Sequence, residues 1–267
     1  LNVRGSHSLD SYRCEQTMKR SSWHRRAGAV VLAWLAATVL VALVHRQVPA
    51  PLWLMVHLLL LGAVTNAILI WSGHFATTLL RLPDTRAKSQ QVRLIGLNVA
   101  VIAVIAGVLA NTLPLVVLGA IGVAIAIAWH VIELFLGMRR ALPSRFGLTG
   151  RYYIAAGLLL ILGIGLAVEL TRGGSGAGTS LVLSHATINL FGWVGLSILG
   201  TLITLWPTML HTRVSPDAQQ HGRIALVPLV IGTLVAAAGL VLAIRPLAVV
   251  GAVGYVIVIV AHAGPVV

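Results

Sequence analysis

Apolar stretches of about 20 residues recur along the chain, and they constrain its fold more than any other feature. A stretch of this length spans the hydrocarbon core of a bilayer as an α-helix, whose backbone groups pair within the helix because the core holds no water. Of the 267 residues, 58% are hydrophobic and only 9% are charged, which is not the composition of a soluble domain. The sequence therefore predicts an all-α integral membrane protein.

Proline residues and a glycine-rich run divide these stretches into eight predicted transmembrane helices. The predicted spans are residues 27–45, 51–80, 93–111, 114–138, 151–170, 180–210, 223–243 and 246–264. Residues 1–26 contain no apolar region of the kind found in a signal peptide, so we expect a disordered, basic cytoplasmic tail. The chain begins with Leu1 and ends five residues after His262, and whether it belongs to a longer protein stays an open alternative.

Basic residues are concentrated on one side of the predicted helices. Sixteen of the 19 lysines and arginines precede the first span or follow the second, fourth and sixth spans, and only Arg46, Arg172 and Arg245 lie on the other side. By the positive-inside rule, this pattern places both termini in the cytoplasm of a multi-pass protein of the inner or plasma membrane. The net charge of +13 then indicates contact with anionic lipid headgroups rather than with nucleic acid.

One stretch in the middle of the chain is repeated near its end. Residues 114–130 and 246–262 align without a gap and are identical at nine of 17 positions. The matched residues include a proline, two glycines and a final histidine, namely Pro114 with Pro246, Gly119 with Gly251, Gly122 with Gly254 and His130 with His262. A repeat unit with an even number of helices is parallel. The sequence therefore predicts two parallel four-helix repeats, residues 27–138 and 151–264.

Four histidines lie within predicted spans, at two depths. A helix rise of about 1.5 Å per residue places His57 and His185 within about 10 Å of the outer membrane surface, and His130 and His262 about 24 Å from it. An ionisable side chain within a span is costly and usually faces the bundle interior or a ligand, and imidazole is a common ligand of haem iron and copper. We predict that these four histidines are metal ligands, in an outer and an inner pair, with one member from each repeat.

Small and polar residues share helix faces with these histidines, at distances of one to three helical turns. Such a face can admit a flat macrocycle, so these residues are predicted to bind the cofactor together with the histidines. They are Gly119, Gly251, Asn189 and Gly192. The same spacing also lets two helices pack closely, and a histidine in a span can instead form an interhelical hydrogen bond or relay a proton. These alternatives stay open.

Other polar residues near the spans have simpler interpretations. Glu133 lies one turn beyond His130, and it either orients that histidine or forms an ion pair with Arg139 or Arg140. His221 is predicted to lie in a loop. The sequence contains no nucleotide-binding glycine loop, no CxxC, no HExxH and no recognisable catalytic triad.

Two segments of the chain resemble known membrane proteins. They are MVHLLLLGAVTNAILIWSGHFATTLLR (55–81) and SHATINLFGWVGLSILGTLITLWPTMLHTR (184–213). They resemble NnrS-type haem-copper proteins and relatives of haem-copper oxidase subunit I. They look most similar to the membrane portion that precedes copper-oxidase (nitrite-reductase-like) domains in some actinobacterial proteins. The resemblance implies that His57 and His185 bind haem or copper. This chain has two helical units rather than three and no adjacent His-His pair. The resemblance therefore does not imply that this chain alone reduces oxygen.

The leading hypothesis from the sequence is a membrane protein that binds b-type haem, with copper as the alternative cofactor. It would pass electrons to or from a periplasmic copper protein or an appended cupredoxin domain, as an electron-transfer component rather than a complete oxidoreductase. Two other hypotheses remain open. One is a transporter of small molecules or metal ions, with the histidines along its pathway, and the other is a membrane anchor of a larger complex.

Overall fold

The computed structural model of the chain is helical over most of the residues that it describes, which are 4–79, 87–141, 147–173, 178–209, 211 and 216–263. Within these ranges there is no β-strand, and eight helices are long and apolar enough to cross a membrane. The predicted fold class, an all-α multi-pass membrane protein, is confirmed. The loop residues 80–86, 142–146 and 212–215, which carry part of the predicted cytoplasmic charge, lie outside the described residues.

The eight helices agree with the predicted spans to within a few residues at most of their ends. They are α1 (Arg4–Leu43), α2 (Pro51–His57, Leu58–Val64 and Thr65–Leu79), α3 (Ala87–Leu109), α4 (Leu113–Arg140), α5 (Gly147–Gly173), α6 (Thr179–Thr187, Ile188–Gly195 and Leu196–Met209), α7 (Pro216–Val241) and α8 (Arg245–Ala263). Three beginnings differ. Helix α1 begins at Arg4, inside the predicted tail, α3 begins at Ala87, before the predicted residue 93, and α7 begins at Pro216, before the predicted residue 223.

The chain divides into two compact units, Leu1–Ile70 and Trp71–Val267. In the first unit, α1 packs against the beginning of α2. In the second unit, α3 with α4 and α7 with α8 form helical hairpins, α4 packs against α5, and α5 packs against α6. Large apolar side chains such as Leu118, Ile125 and Val260 remain exposed on these helices, as expected for surfaces that face lipid rather than water.

The turns of the two hairpins have the same backbone structure, at positions that the repeat aligns with each other. Asn111 and Ala243 adopt left-handed backbone angles, with φ of 51° and 57°. The next N–H groups, of Thr112 and Ile244, donate hydrogen bonds of 2.8 Å to the carbonyls of Gly107 and Gly239. These are Schellman caps, which satisfy carbonyls at the end of the first helix.

Glycines bring the two helices of each hairpin into close contact. A Cβ atom on Gly119 would lie 2.8 Å from the carbonyl oxygen of Ala100 in α3, and one on Gly251 would lie 2.8 Å from that of Gly232 in α7. Real Cβ atoms do not approach backbone so closely, so larger residues at either position would force the helices apart. Both hairpins therefore have the same close packing at equivalent positions of the repeat.

Helices α2 and α6 each contain a π-helical segment, Leu58–Val64 and Ile188–Gly195. The first begins directly after His57 and the second three residues after His185. Such segments are rare and are frequent at functional sites. A glycine in each lies against the preceding helix, since a Cβ atom on Gly62 would meet Trp34 of α1 and one on Gly192 would meet Leu159 of α5. No proline marks either segment in the sequence.

Exchanging the residues at the left-handed positions of the two hairpin turns should change the stability of the protein in opposite directions. A left-handed backbone costs an ordinary L-residue roughly 1–2 kcal/mol, whereas asparagine tolerates it. Replacement of Ala243 by the asparagine of the other turn should therefore stabilise the protein, by about 1 kcal/mol, and Asn111→Ala should destabilise it by a similar amount. SDS titration of the protein in detergent, followed by helical circular dichroism, measures both changes.

A suitable control is Ala252→Gly in the interior of α8, where a glycine should cost about 1 kcal/mol of helix stability. A loss of stability in the Ala243→Asn variant would show that the second turn does not have the left-handed conformation.

Candidate functional site

His57 lies at the end of the first segment of α2, where its ring is held in one orientation. Its Nδ1 atom is 2.8 Å from the carbonyl oxygen of Trp53, one turn earlier, and its ring stacks on the indole of Trp53 with centroids 4.1 Å apart. A carbonyl can only accept a hydrogen bond, so Nδ1 must be the protonated nitrogen. The neutral ring then has its lone pair on Nε2.

His185 has an equivalent bond, but the carbonyl belongs to a neighbouring helix. Its Nδ1 atom donates to the carbonyl oxygen of Gly163 in α5 at 2.9 Å. The Asn189 amide donates to the backbone carbonyl of His185 at 2.7 Å. It also lies 3.2 Å from Nδ1 and 3.4 Å from Nε2 of the ring. Asn189 therefore lies beside the imidazole and helps to orient it.

Gly163 is the residue that makes room for this arrangement. A Cβ atom at position 163 would lie 2.6 Å from Oδ1 and 2.7 Å from Nδ2 of Asn189. The close approach of α5 thus brings the Gly163 carbonyl to His185. Neither Gly163 nor Trp53 stands out in the sequence, because both act through a backbone carbonyl that any residue has.

His57 and His185 share a pattern that is typical of metal-ligating histidines. Such histidines usually donate one ring N–H to a carbonyl or carboxylate, which fixes the tautomer and the ring orientation for binding through the other nitrogen. Both residues are partly buried, and each is followed closely by a π-helical segment. His45 also has Nδ1 bonded to a carbonyl, but it lies exposed in the turn after α1.

His130 has a different environment. Its side chain is only 2% exposed, and its Nε2 atom lies 2.8 Å from the hydroxyl oxygen of Ser72, which is also buried. Within the described part of the chain, its buried Nδ1 atom has no hydrogen-bond partner. A serine hydroxyl can donate or accept, so this contact does not fix the tautomer of His130.

His262, the repeat equivalent of His130, has His221 as its neighbour. The two rings lie 5.2 Å apart between centroids, and neither buried Nδ1 atom has a hydrogen-bond partner among the described residues. The prediction that His221 lies in a loop is wrong, because it belongs to α7 (Pro216–Val241). The inner histidines thus have unrelated neighbours, Ser72 for one and His221 for the other.

Three of the predicted cofactor-binding residues lie against neighbouring helices. Gly119 and Gly251 face the backbones of α3 and α7, and Gly192 faces Leu159 of α5. These contacts correspond to the helix-packing alternative. The fourth residue, Asn189, lies beside the ring of His185.

Glu133 forms an ion pair with a partner that the sequence did not indicate. Its carboxylate accepts hydrogen bonds from Arg93 and Ser89 of α3, and from the Trp129 indole at 3.0 Å. The Arg93 side chain is 2% exposed, so this is a buried α3–α4 contact rather than an interfacial pair with Arg139 or Arg140. Buried pairs of this kind are costly to break, because either partner alone would be an uncompensated charge.

No group of three or more His, Cys, Asp or Glu side chains in the described ranges could hold a metal ion. Comparisons with family models, with curated proteins and with solved structures each found no match. The chemistry of the histidines is therefore the basis for any assignment of function.

Replacement of Gly163 should disturb the His185 site. In Gly163→Ala, the new methyl group would overlap the Asn189 amide, and we expect a loss of stability of roughly 1–3 kcal/mol, as for other overpacked sites. Gly165 is the matched control, because it lies two residues away on α5 and a Cβ atom there would meet nothing within 4 Å. Gly165→Ala should be neutral or stabilising by up to about 1 kcal/mol. Melting temperatures in detergent provide the comparison, and equal values for the two variants would contradict the contact.

Proposed function

We propose that this chain is a membrane haem protein that transfers electrons, in which His57 and His185 are the residues that would each ligate haem iron. The observation that carries the proposal is the bond from each Nδ1 atom to a backbone carbonyl, at 2.8 Å and 2.9 Å. In each neutral ring this bond leaves the lone pair on Nε2, the atom through which a histidine so held binds a metal. At His185 the Asn189 amide lies 3.4 Å from this atom, so a metal would take the place of that contact.

Haem is favoured over a bare metal ion by the number of ligands it needs. A four-coordinate zinc or copper site generally takes three or four protein side chains, and no such cluster exists among the described residues. The porphyrin provides four nitrogens of its own, so that one or two histidines complete the coordination. Copper bound by fewer protein ligands remains the alternative cofactor.

The protein residues around each histidine have the task of holding the imidazole in place. Trp53 stacks on the ring of His57, and the Asn189 amide lies beside that of His185. When bound, a haem held by histidine would supply an iron that exchanges single electrons. Pre-oriented rings support that role, because their position changes little when the charge on the metal changes.

The depth of the two histidines supports exchange of electrons at the outer membrane surface. Each is the seventh residue of its helix, counted from Pro51 or Thr179, which corresponds to about 9 Å of helix. With basic loops on the cytoplasmic side, these helix ends face the periplasm of an inner or plasma membrane. A periplasmic copper protein or an appended cupredoxin domain is the partner that we propose, in line with the nitrite-reductase-like resemblance.

The inner pair is not part of this proposal. Ligation by His130 and His262 stays a prediction, because among the described residues the Nδ1 atom of each has no hydrogen-bond partner and the Nε2 atom of His130 lies against a hydroxyl.

Absorption spectroscopy of the purified protein tests the proposal. After expression with haem and copper supplied, the reduced-minus-oxidised spectrum should show a bis-histidine haem band, and a pyridine haemochrome assay should identify b-type haem. His57→Ala and His185→Ala should each remove at least half of this absorbance, since the axial ligand is lost. The number of haems per chain, measured by the same assay, shows whether the protein has one haem centre or two.

The matched control is His45→Ala, which removes an exposed histidine whose Nδ1 atom also bonds a carbonyl. Its spectrum should be unchanged. If neither haem nor copper copurifies, the proposal is wrong, and uptake assays in liposomes would then test the transporter hypothesis.

A further inference from the structure

The second compact unit contains an open groove between the end of α4 and the beginning of α5. Its volume is about 430 Å³, within the range of roughly 300–1,000 Å³ found for ligand sites. The walls are apolar and consist of Phe135 and Met138 from α4 and Ile154, Ala155 and Leu158 from α5. Phe135 and Leu158 are exposed, so the groove opens toward the surface that faces lipid.

The floor of the groove is well packed. Met138 and Ile154 lie against a buried cluster that includes Leu134 and Tyr153. The Tyr153 hydroxyl shares a 2.7 Å hydrogen bond with that of Thr201. Because these contacts anchor the floor, we expect the groove to persist without a ligand.

Two arginines line the same groove, at the end where α4 finishes and α5 begins. Arg139 lies in the last turn of α4, with its guanidinium carbon 5.7 Å from the Phe135 ring centroid. Arg151 is the fifth residue of α5. Both are exposed, and none of the residues that line the groove is acidic. The nearby carboxylate of Glu133 is already paired with Arg93.

We propose that this groove binds one anionic phospholipid. An acyl chain would lie along the apolar walls, and Arg139 and Arg151 would donate hydrogen bonds to its phosphate. Guanidinium groups match the geometry of phosphate oxygens in a bidentate manner. Helix ends at a membrane boundary place the two arginines at the level of lipid headgroups. A soluble anion would use the arginines alone, whereas a lipid uses both the arginines and the apolar walls. This site is independent of the proposed haem function.

Native mass spectrometry of the full chain in detergent tests the proposal. The delipidated protein is incubated with phosphatidylglycerol or with phosphatidylcholine, and retained lipid is counted. The unmodified protein should retain one phosphatidylglycerol in preference to phosphatidylcholine. Arg139→Gln and Arg151→Gln should each weaken this binding roughly fivefold, and the double variant about 30-fold, from about 1 kcal/mol for each basic residue near a lipid surface.

Arg140→Gln is the matched control, because Arg140 adjoins Arg139 on α4 but does not line the groove. It should change binding by less than about twofold, a much smaller effect than that of a residue that contacts the phosphate. Ala155→Trp provides a second test, because the indole would fill the groove while both arginines remain. This variant should no longer retain phosphatidylglycerol.

Three results would overturn the proposal. A loss of phosphatidylglycerol binding in Arg140→Gln as large as that in Arg139→Gln would show that the lipid is attracted by general surface charge. Equal retention of phosphatidylcholine would show that the arginines do not select the headgroup. If glycerol phosphate competes for the groove as well as the lipid does, the groove is a site for soluble anions.

Discussion

Each backbone N–H and C=O group inside a bilayer must find a partner within the protein, because the hydrocarbon core holds no water. The turns between α3 and α4 and between α7 and α8 meet this requirement with the same Schellman bonds. The π-helical segments meet it with side chains as well. Thr65 donates to the carbonyl of Leu60, Asn66 to that of Gly62, and Asn189 to that of His185. Several polar side chains within the spans are therefore used to satisfy the backbone of their own helix, and this leaves fewer for chemistry.

The two hairpins share their backbone packing, but they do not share their polar groups. In the α3–α4 hairpin, Ser89 and Arg93 donate to the carboxylate of Glu133. At the equivalent positions of the repeat, the α7–α8 hairpin has His221 in place of Ser89 and Ala225 in place of Arg93. The glycines and turns match in both copies because they determine how closely the helices approach. The two copies thus share their backbone framework, whereas the surroundings of their inner histidines differ.

The spans could be predicted because hydrophobic length is a local property that does not depend on packing. The exceptions are the beginnings of α1, α3 and α7. Their first turns carry polar and charged residues, such as Lys88 in α3 and Asp217 in α7, and are too polar to be recognised as part of a span. The π-helical segments and the role of Gly163 could not be predicted, because they depend on how helices approach one another. The candidate ligands were identifiable as intramembrane histidines, but the bonds that orient them were not. Residue spacing alone also cannot separate a glycine that admits a cofactor from one that admits a helix, as Gly119 illustrates.

The partner atom of each imidazole distinguishes the histidines better than their depth does. A carbonyl partner requires a proton on Nδ1 and so directs the lone pair of a neutral ring to Nε2, as at His57 and His185. A hydroxyl partner, as at His130, allows either nitrogen to carry the proton. A ring whose tautomer is fixed before the metal arrives binds the metal more tightly, because no energy is then needed to reorganise the ring. On this criterion His57 and His185 each resemble a metal-ligating histidine more than His130 does, although the longer sequence match is the one that ends on His130 and His262.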